Sequence, residues 1–286
     1  MPELPEVELY LHALKPRVVG QAIDGIRVRS PSLLKTYDPP ISAAVGRTVR
    51  GLRRVGKRVV FVLDADLFLV VHLMIAGRFQ WKDRGAAVPR KLGHAAFDFA
   101  HGTLLLTEAG TKKRASLHLV RGEAALAALD PGGVEPLTMD LATFRARLTR
   151  ENHTLKRALT DPHLISGIGN AHSDEILWRA RLSPLQRTRN LDAAAASALF
   201  DAVRDELTEW TARLRDEAGD DFPGKVTAFH PAMAVHGRFG EPCPRCGSPV
   251  QRIRYADHEI NYCATCQTGG HRLRDRALSR LLGEDW

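Results

Sequence analysis

Val7, Leu11, Leu14 and Val18 recur at i, i+4, i+7 and i+11, which predicts an amphipathic helix over residues 4–18 with Gly20 as its stop. Pro5 in the first turn, with Glu6 and Glu8 beside it, suits a helix N-terminus, where a missing N–H costs nothing and the dipole favours negative charge. From residue 22 to about 120 the texture becomes strand-like. "RVVFVLDADLFLVVHLM" is two apolar runs broken at Asp64-Ala65-Asp66, and "HAAFDFAHGTLLLTE" repeats the pattern around His101-Gly102; each predicts a hairpin. One helix followed by six to eight strands predicts a β-sandwich with the helix packed on it.

The pattern changes near residue 121. Gly122, Asp130-Pro131-Gly132-Gly133 and Pro136 predict a linker, after which helical spacing takes over. Asp140 is placed to cap a helix near 141–149, Asn152 one near 153–160, and Asp192 a long one reaching about 217, with Leu199, Val203, Leu207, Trp210 and Leu214 on one face. Between them the loop "TDPHLISGIGN" leads into "AHSDEILWRARLSP", a predicted helix closed by Pro184. Residues 218–240 are glycine-rich and loop-like. The expected organisation is α+β: a sandwich domain at 1–121, a linker at 122–136, a helical domain at 137–236, a cysteine-bearing module at 237–270 and a basic helix at 271–286. In that tail Leu273, Ala277, Leu278, Leu281 and Leu282 form an apolar stripe opposite Arg272, Arg276 and Arg280, expected to pack beside the module.

The chain has 286 residues, 44% hydrophobic and 26% charged, enough for two globular domains with cores of their own. Its 41 Lys+Arg exceed its 33 Asp+Glu by eight, a balance that suits a polyanionic partner, nucleic acid first. The first twenty residues are charged throughout and lack an apolar core, and no stretch nears the roughly 18 apolar residues of a membrane span. No signal peptide, no membrane partner and a cytoplasmic, nucleoid-associated location are therefore expected. All four cysteines lie in Cys243-Pro-Arg-Cys246 and Cys263-Ala-Thr-Cys266, sixteen residues apart. Disulfides are disfavoured inside cells, and two C-x-x-C knuckles at this separation match one tetrahedral four-thiolate site. One structural Zn2+ held by Cys243, Cys246, Cys263 and Cys266 is expected, with no open position for substrate. The histidines at His72, His94, His101, His118, His163, His172, His230 and His236 form no further metal set by spacing.

The start, "MPELPEVE", raises a separate question. A methionine before a small residue is normally removed, which would leave Pro2 with a free secondary amine beside Glu3 and Glu6. With "GIGN" at 167–170, "VHGRFGEPC" at 235–243 and the four-cysteine module, in that order, this start resembles the formamidopyrimidine-DNA glycosylase/endonuclease VIII family of base-excision repair enzymes, over residues 1–266. The resemblance implies an N-terminal β-sandwich with a helix, a helix–two-turns–helix domain, and a zinc finger whose hairpin enters damaged DNA. It implies Pro2 as nucleophile at C1′, a Schiff base and β,δ-elimination, with Glu3 as acid/base and Glu6 as a supporting acid. It implies that Lys57, in the first strand of the central hairpin, serves catalysis and phosphate binding, and that Lys156 and Asn170 bind phosphates flanking an everted nucleotide.

Three departures from the family pattern stand out. Ile75, in "VHLMIAG", occupies the place of a void-filling methionine; Met74 is adjacent, but a one-residue shift on a strand points it to the other face, so apolar Ile75 is the expected wedge. The loop that carries a base-reading arginine and phenylalanine in formamidopyrimidine-type members reads "LTEAGTKKRASLHL", with no aromatic; Lys112, Lys113 and Arg114 are expected to meet phosphates instead. His258 replaces the finger arginine five residues before Cys263, and a histidine has shorter reach and partial charge. The expected function is a bifunctional DNA glycosylase/AP lyase acting as a monomer, closer to the formamidopyrimidine branch, on oxidised or otherwise altered bases. The rivals are a member specialised for bulky or single-stranded lesions, a non-catalytic damage-binding protein on the same fold, and a nucleic-acid binder related through the helical part alone.

Overall fold

The computed structural model describes residues 1–110, 112–224, 226–227, 229–255 and 258–273. Helix α1 spans Leu4–Val18, and its buried face is Val7, Tyr10, Leu14 and Val18, the predicted stripe with Tyr10 in place of the half-buried Leu11. Eight strands follow: β1 Gly25–Val28, β2 Val49–Val55, β3 Arg58–Leu63, β4 Leu67–His72, β5 Gly77–Lys82, β6 Gly93–Phe99, β7 Gly102–Glu108 and β8 Ser116–Arg121. They make two four-stranded antiparallel sheets, ordered β1-β6-β7-β5 and β2-β3-β4-β8. Alternation decides the core. Val59, Phe61 and Leu63 of β3, Leu67, Leu69 and Val71 of β4, and Phe97 and Phe99 of β6 turn inward onto α1 and one another.

The other face of the second sheet is also covered. Helix α2, Glu123–Ala127, lies inside the segment that sequence reads as linker, and its Leu126 packs on Val60, Phe68, Val70 and Val120. This is why β4 has no polar face to show in its sequence. Helix α3 is Leu141–Leu148, capped by Asp140, which accepts from Thr143 N at 2.7 Å. Helix α4 is Leu155–Thr160; its cap is Thr154 rather than Asn152, with the hydroxyl accepting from Arg157 N. Helix α5 is Asn170–Arg179 and ends well before Pro184, because Arg181 takes a left-handed φ of 58°. Helix α6, Ala193–Ala218, starts at Asp192, which accepts from Ala195 N at 2.7 Å. Phe144 of α3 meets Phe200 of α6 with ring centroids 5.6 Å apart.

Strands β9, Gln251–Arg254, and β10, Glu259–Tyr262, form a hairpin followed by helix α7, Ala264–Thr268. Two compact units result, Met1–Pro131 with Trp210–Thr227, and Gly132–Glu209 with Ala228–Trp286. The division falls inside α6, not at the end of the helical domain. Residues 274–286 of the expected basic tail lie outside the described residues. Among the described residues no helix is long and apolar enough to cross a membrane.

Candidate functional site

The N-terminus is seated in the first unit. Pro2, Glu3 and Glu6 are all buried, Glu3 at 2% exposure and Glu6 at 1%. Glu6 Oε2 accepts from Glu3 N at 2.7 Å, and because that N–H belongs to the Pro2–Glu3 peptide, the bond fixes the orientation of Pro2. Burial holds the terminal amine, carried here by Met1, below its ordinary value; Glu3 opposes this, Arg78 adds to it, Glu6 opposes, and Lys57 adds. An amine ringed by two carboxylates and two cations, and pushed toward its neutral form, has the attributes of an amine nucleophile.

Lys57 lies in the two-residue turn between β2 and β3, not within a strand. The turn pairs Val55 with Arg58, and Gly56 supplies its φ of +59°. Beyond it Arg58, His72 and Ser116 stand in one row across β3, β4 and β8. Burial pushes His72 down to about 4, helped by Arg58, Lys57 and His118, and its Nε2 is buried with no hydrogen-bond partner among the described residues. His118 is lowered for the same reasons, burial first and then Arg58 and Lys35. Sequence gave no sign of this pair, since each histidine sits alone in an apolar run. Both histidines are held toward the neutral form in the folded chain. Stability from His72 is therefore full above pH 6.5 and is lost as pH falls toward 4, by up to about 3 kcal/mol. Denaturant titrations of wild type and His72→Gln at pH 7.5 and 5 check this; the variant should lose less stability on acidification.

Ile75 does not lie on a strand. It stands at the tip of the turn between β4 and β5, 55% exposed, with Met74 beside it at a φ of 53°. The turn closes through Gly77 N donating to Leu73 O at 2.9 Å, and a Cβ at Gly77 would come within 2.1 Å of that oxygen, so only glycine fits. An apolar tip on a strained turn is what a wedge requires.

Lys112, Lys113 and Arg114 are exposed in the loop after β7. Their base is Glu108, 1% exposed, which accepts from Arg114 N at 3.0 Å and Ala115 N at 3.2 Å and meets His94 Nε2 at 2.8 Å. Lys113 Nζ donates to the Glu108 carbonyl. Glu108 and His94 went unread in the sequence because an acid ending a strand looks exposed until its partners are known.

In the second unit Lys156 is drawn inward. It is 5% exposed, and Nζ donates to Asp174 Oδ1 and to the Asn170 carbonyl, both at 2.6 Å. Two of its three protons are spent inside the protein, on the start of α5. Asp174 Oδ2 also meets His236 Nδ1 at 2.8 Å and accepts from Asn261 N at 3.1 Å; Glu175 accepts from Ala234, Val235 and His236 backbone N–H groups. Lys156→Met leaves Asp174 buried without its cation and should cost about 3–5 kcal/mol in a urea melt. A lysine serving phosphate alone would leave the melt unchanged. Asn170 is the first residue of α5, after the cap Gly169, and its Nδ2 donates to Glu259 O at 2.9 Å, tying "GIGN" to the β9–β10 hairpin. His258, just before that hairpin's return strand, stacks on Tyr255 with centroids 4.8 Å apart.

The four cysteines converge, with all Sγ atoms within 4.8 Å of one another. Zn–S bonds of about 2.3 Å in a tetrahedron put sulfurs about 3.8 Å apart; Cys243–Cys266 is 4.0 Å and Cys246–Cys263 is 3.4 Å. The donor set fits zinc. Trp178 Nε1 donates to Cys243 Sγ at 3.3 Å, the kind of outer contact that orients a thiolate.

Three domain descriptions match this chain in order: the formamidopyrimidine-DNA glycosylase N-terminal domain at residues 1–114, its H2TH domain at 132–214, and the zinc finger found in FPG and IleRS at 240–269. The formamidopyrimidine-DNA glycosylase of Acidothermus cellulolyticus is 33% identical over 285 residues, spanning 93% of this chain and 97% of that protein. The chain belongs to the formamidopyrimidine-DNA glycosylase family. Two solved structures of Lactococcus lactis Fpg agree. One, with DNA containing an abasic site, has a TM-score of 0.82 at 28% identity, covering 93% of this chain and 99% of the other. One, with DNA containing an oxidised pyrimidine, has a TM-score of 0.83 at 29% identity, covering 93% and 100%. Within this glycosylase family the sandwich, H2TH and zinc-finger parts thus have the order and class expected from sequence.

Proposed function

We propose that the chain is a bifunctional DNA glycosylase/AP lyase of base-excision repair that works through the Pro2 amine once Met1 is removed. The observation that carries this is the burial of Pro2 with Glu3 and Glu6 beneath a half-buried Met1 amine that Glu3, Arg78, Glu6 and Lys57 all act on, in a member of this family. The nitrogen lone pair of Pro2 attacks C1′ of the damaged nucleotide, and the bond to the base breaks. Glu3 gives a proton to the sugar ring oxygen as the ring opens to an iminium ion. Loss of a C2′ proton then expels the 3′ phosphate, a second elimination expels the 5′ phosphate, and water frees the amine. Glu6 orients the Pro2–Glu3 peptide. Lys57 meets a phosphate beside the reacting sugar.

Ile75 enters the stack where the nucleotide leaves it, and Lys112, Lys113, Arg114, Asn170 and His258 meet the backbone. Lys156 acts behind Asn170. One structural Zn2+ is held by the four cysteines. The protein works as a monomer in the cytoplasm, on the nucleoid. The loop without an aromatic at 109–115 favours a broad lesion range over strict reading of the opposite base. Borohydride reduction in the presence of abasic-site DNA tests the proposal: a covalent protein–DNA adduct is expected, and a chain that binds such DNA without ever forming one would be a damage-binding protein only.

A further inference from the structure

Arg54 joins two parts of the candidate site that the sequence keeps apart. Its side chain is 8% exposed, with Nε donating to Glu8 Oε1 at 3.0 Å and Nη1 to the Gly56 carbonyl at 2.9 Å. The other oxygen of Glu8 accepts from Arg215 at 3.1 Å, so the carboxylate is held from both sides. Glu8 lies on α1, the helix that opens with Glu3 as its cap. The Gly56 carbonyl belongs to the Gly56–Lys57 peptide, so a bond to that oxygen sets the plane from which the Lys57 side chain departs.

We propose that Arg54 is a positioning residue: through Glu8 and the Gly56 carbonyl it locks the Lys57 turn to α1, and so sets where the Lys57 ammonium stands relative to the Pro2 amine. Drawing a guanidinium down to 8% exposure against a half-buried carboxylate is costly, and packing alone would be served as well by apolar side chains. A planar fork reaching an acid and a carbonyl at once is what only arginine supplies; a lysine at 54 keeps the charge and reaches one of them. The inference rests on the nucleophilic role of Pro2 and on Lys57 acting beside it.

The test is a double-mutant cycle with Met1-free protein, using Arg54→Lys, Lys57→Ala and the pair. The readouts are single-turnover base release and the rate of borohydride trapping on abasic-site DNA, between pH 5 and 9. Arg54→Lys should lower both rates about tenfold and displace the pH profile, yet change them less than about twofold when Lys57 is already alanine. An equal loss in both backgrounds, or none in the wild-type background, overturns the inference. Glu8→Gln, which slackens the Arg54 anchor at nearly constant volume, repeats the cycle should Arg54→Lys fail to fold. A wild-type chain that cannot be trapped at all overturns the proposed function instead.

Discussion

A chain that retains Met1 should form no borohydride-stable adduct with abasic-site DNA, and Pro2→Gly in a Met1-free chain should lower base release by on the order of 10³-fold. One extra residue moves the amine by about 3.8 Å, while attack on C1′ needs the reacting atoms about 3–3.5 Å apart. The retained residue also turns the Pro2 nitrogen into an amide, whose lone pair is no longer nucleophilic. Glycine at position 2 keeps an amine but loses the ring that fixes its direction, and the bond from Glu3 N to Glu6 then orients a looser end. Gel separation of reduced reactions reads both outcomes, alongside DNA affinity, which should hold in each variant because neither change touches the cationic loops. An adduct of normal yield from the Met1-retaining chain would contradict the assignment.

The second large effect concerns the finger. Cys263→Ser, or removal of zinc by a strong chelator, should unfold the β9–β10 hairpin and weaken binding to abasic-site DNA at least about 100-fold, since zinc-finger metals contribute apparent free energies of about 10–16 kcal/mol. Cys263 and Cys243 are buried in the small core that includes Val235 and Val250, so losing the metal opens the centre of this module. Asn170 loses its partner when Glu259 moves, and "GIGN" is disturbed with it. The β-sandwich unit has its own core and should melt at an unchanged temperature. Metal content by mass spectrometry, circular dichroism and a filter-binding titration check this. Full affinity in a metal-free protein would contradict it.

Most of the scaffold was legible from periodicity. The 4–18 helix, the hairpins at Asp64-Ala65-Asp66 and His101-Gly102, and the long helix after Asp192 each have enough turns or alternations for the pattern to speak. Short elements were not. Helix α2 has five residues and was masked by the glycines and prolines around it, and the Thr154 cap competes locally with Asn152. The cysteine cluster was legible because metal geometry dictates spacing.

What sequence could not deliver was partnership. Lys156 looks the same whether it meets a phosphate or Asp174, and only the fold brings residue 174 to it. Ile75 lies in a turn because Gly77 admits the Leu73 carbonyl, a contact invisible in the string "HLMIAG". Arg54 stands in sequence among Arg47, Arg50, Arg53 and Arg58, and only the fold brings its guanidinium onto Glu8 and the Gly56 carbonyl.

The most direct measurement is to locate the bond. Wild-type protein is reduced with borohydride on abasic-site DNA, the DNA is digested, and the N-terminal peptide is sequenced by tandem mass spectrometry. A sugar-derived mass on the nitrogen of Pro2, in a peptide that begins at that residue, is the expected result. The same mass on Lys57 or on another side-chain amine, with Pro2 unmodified, would contradict the account at its centre.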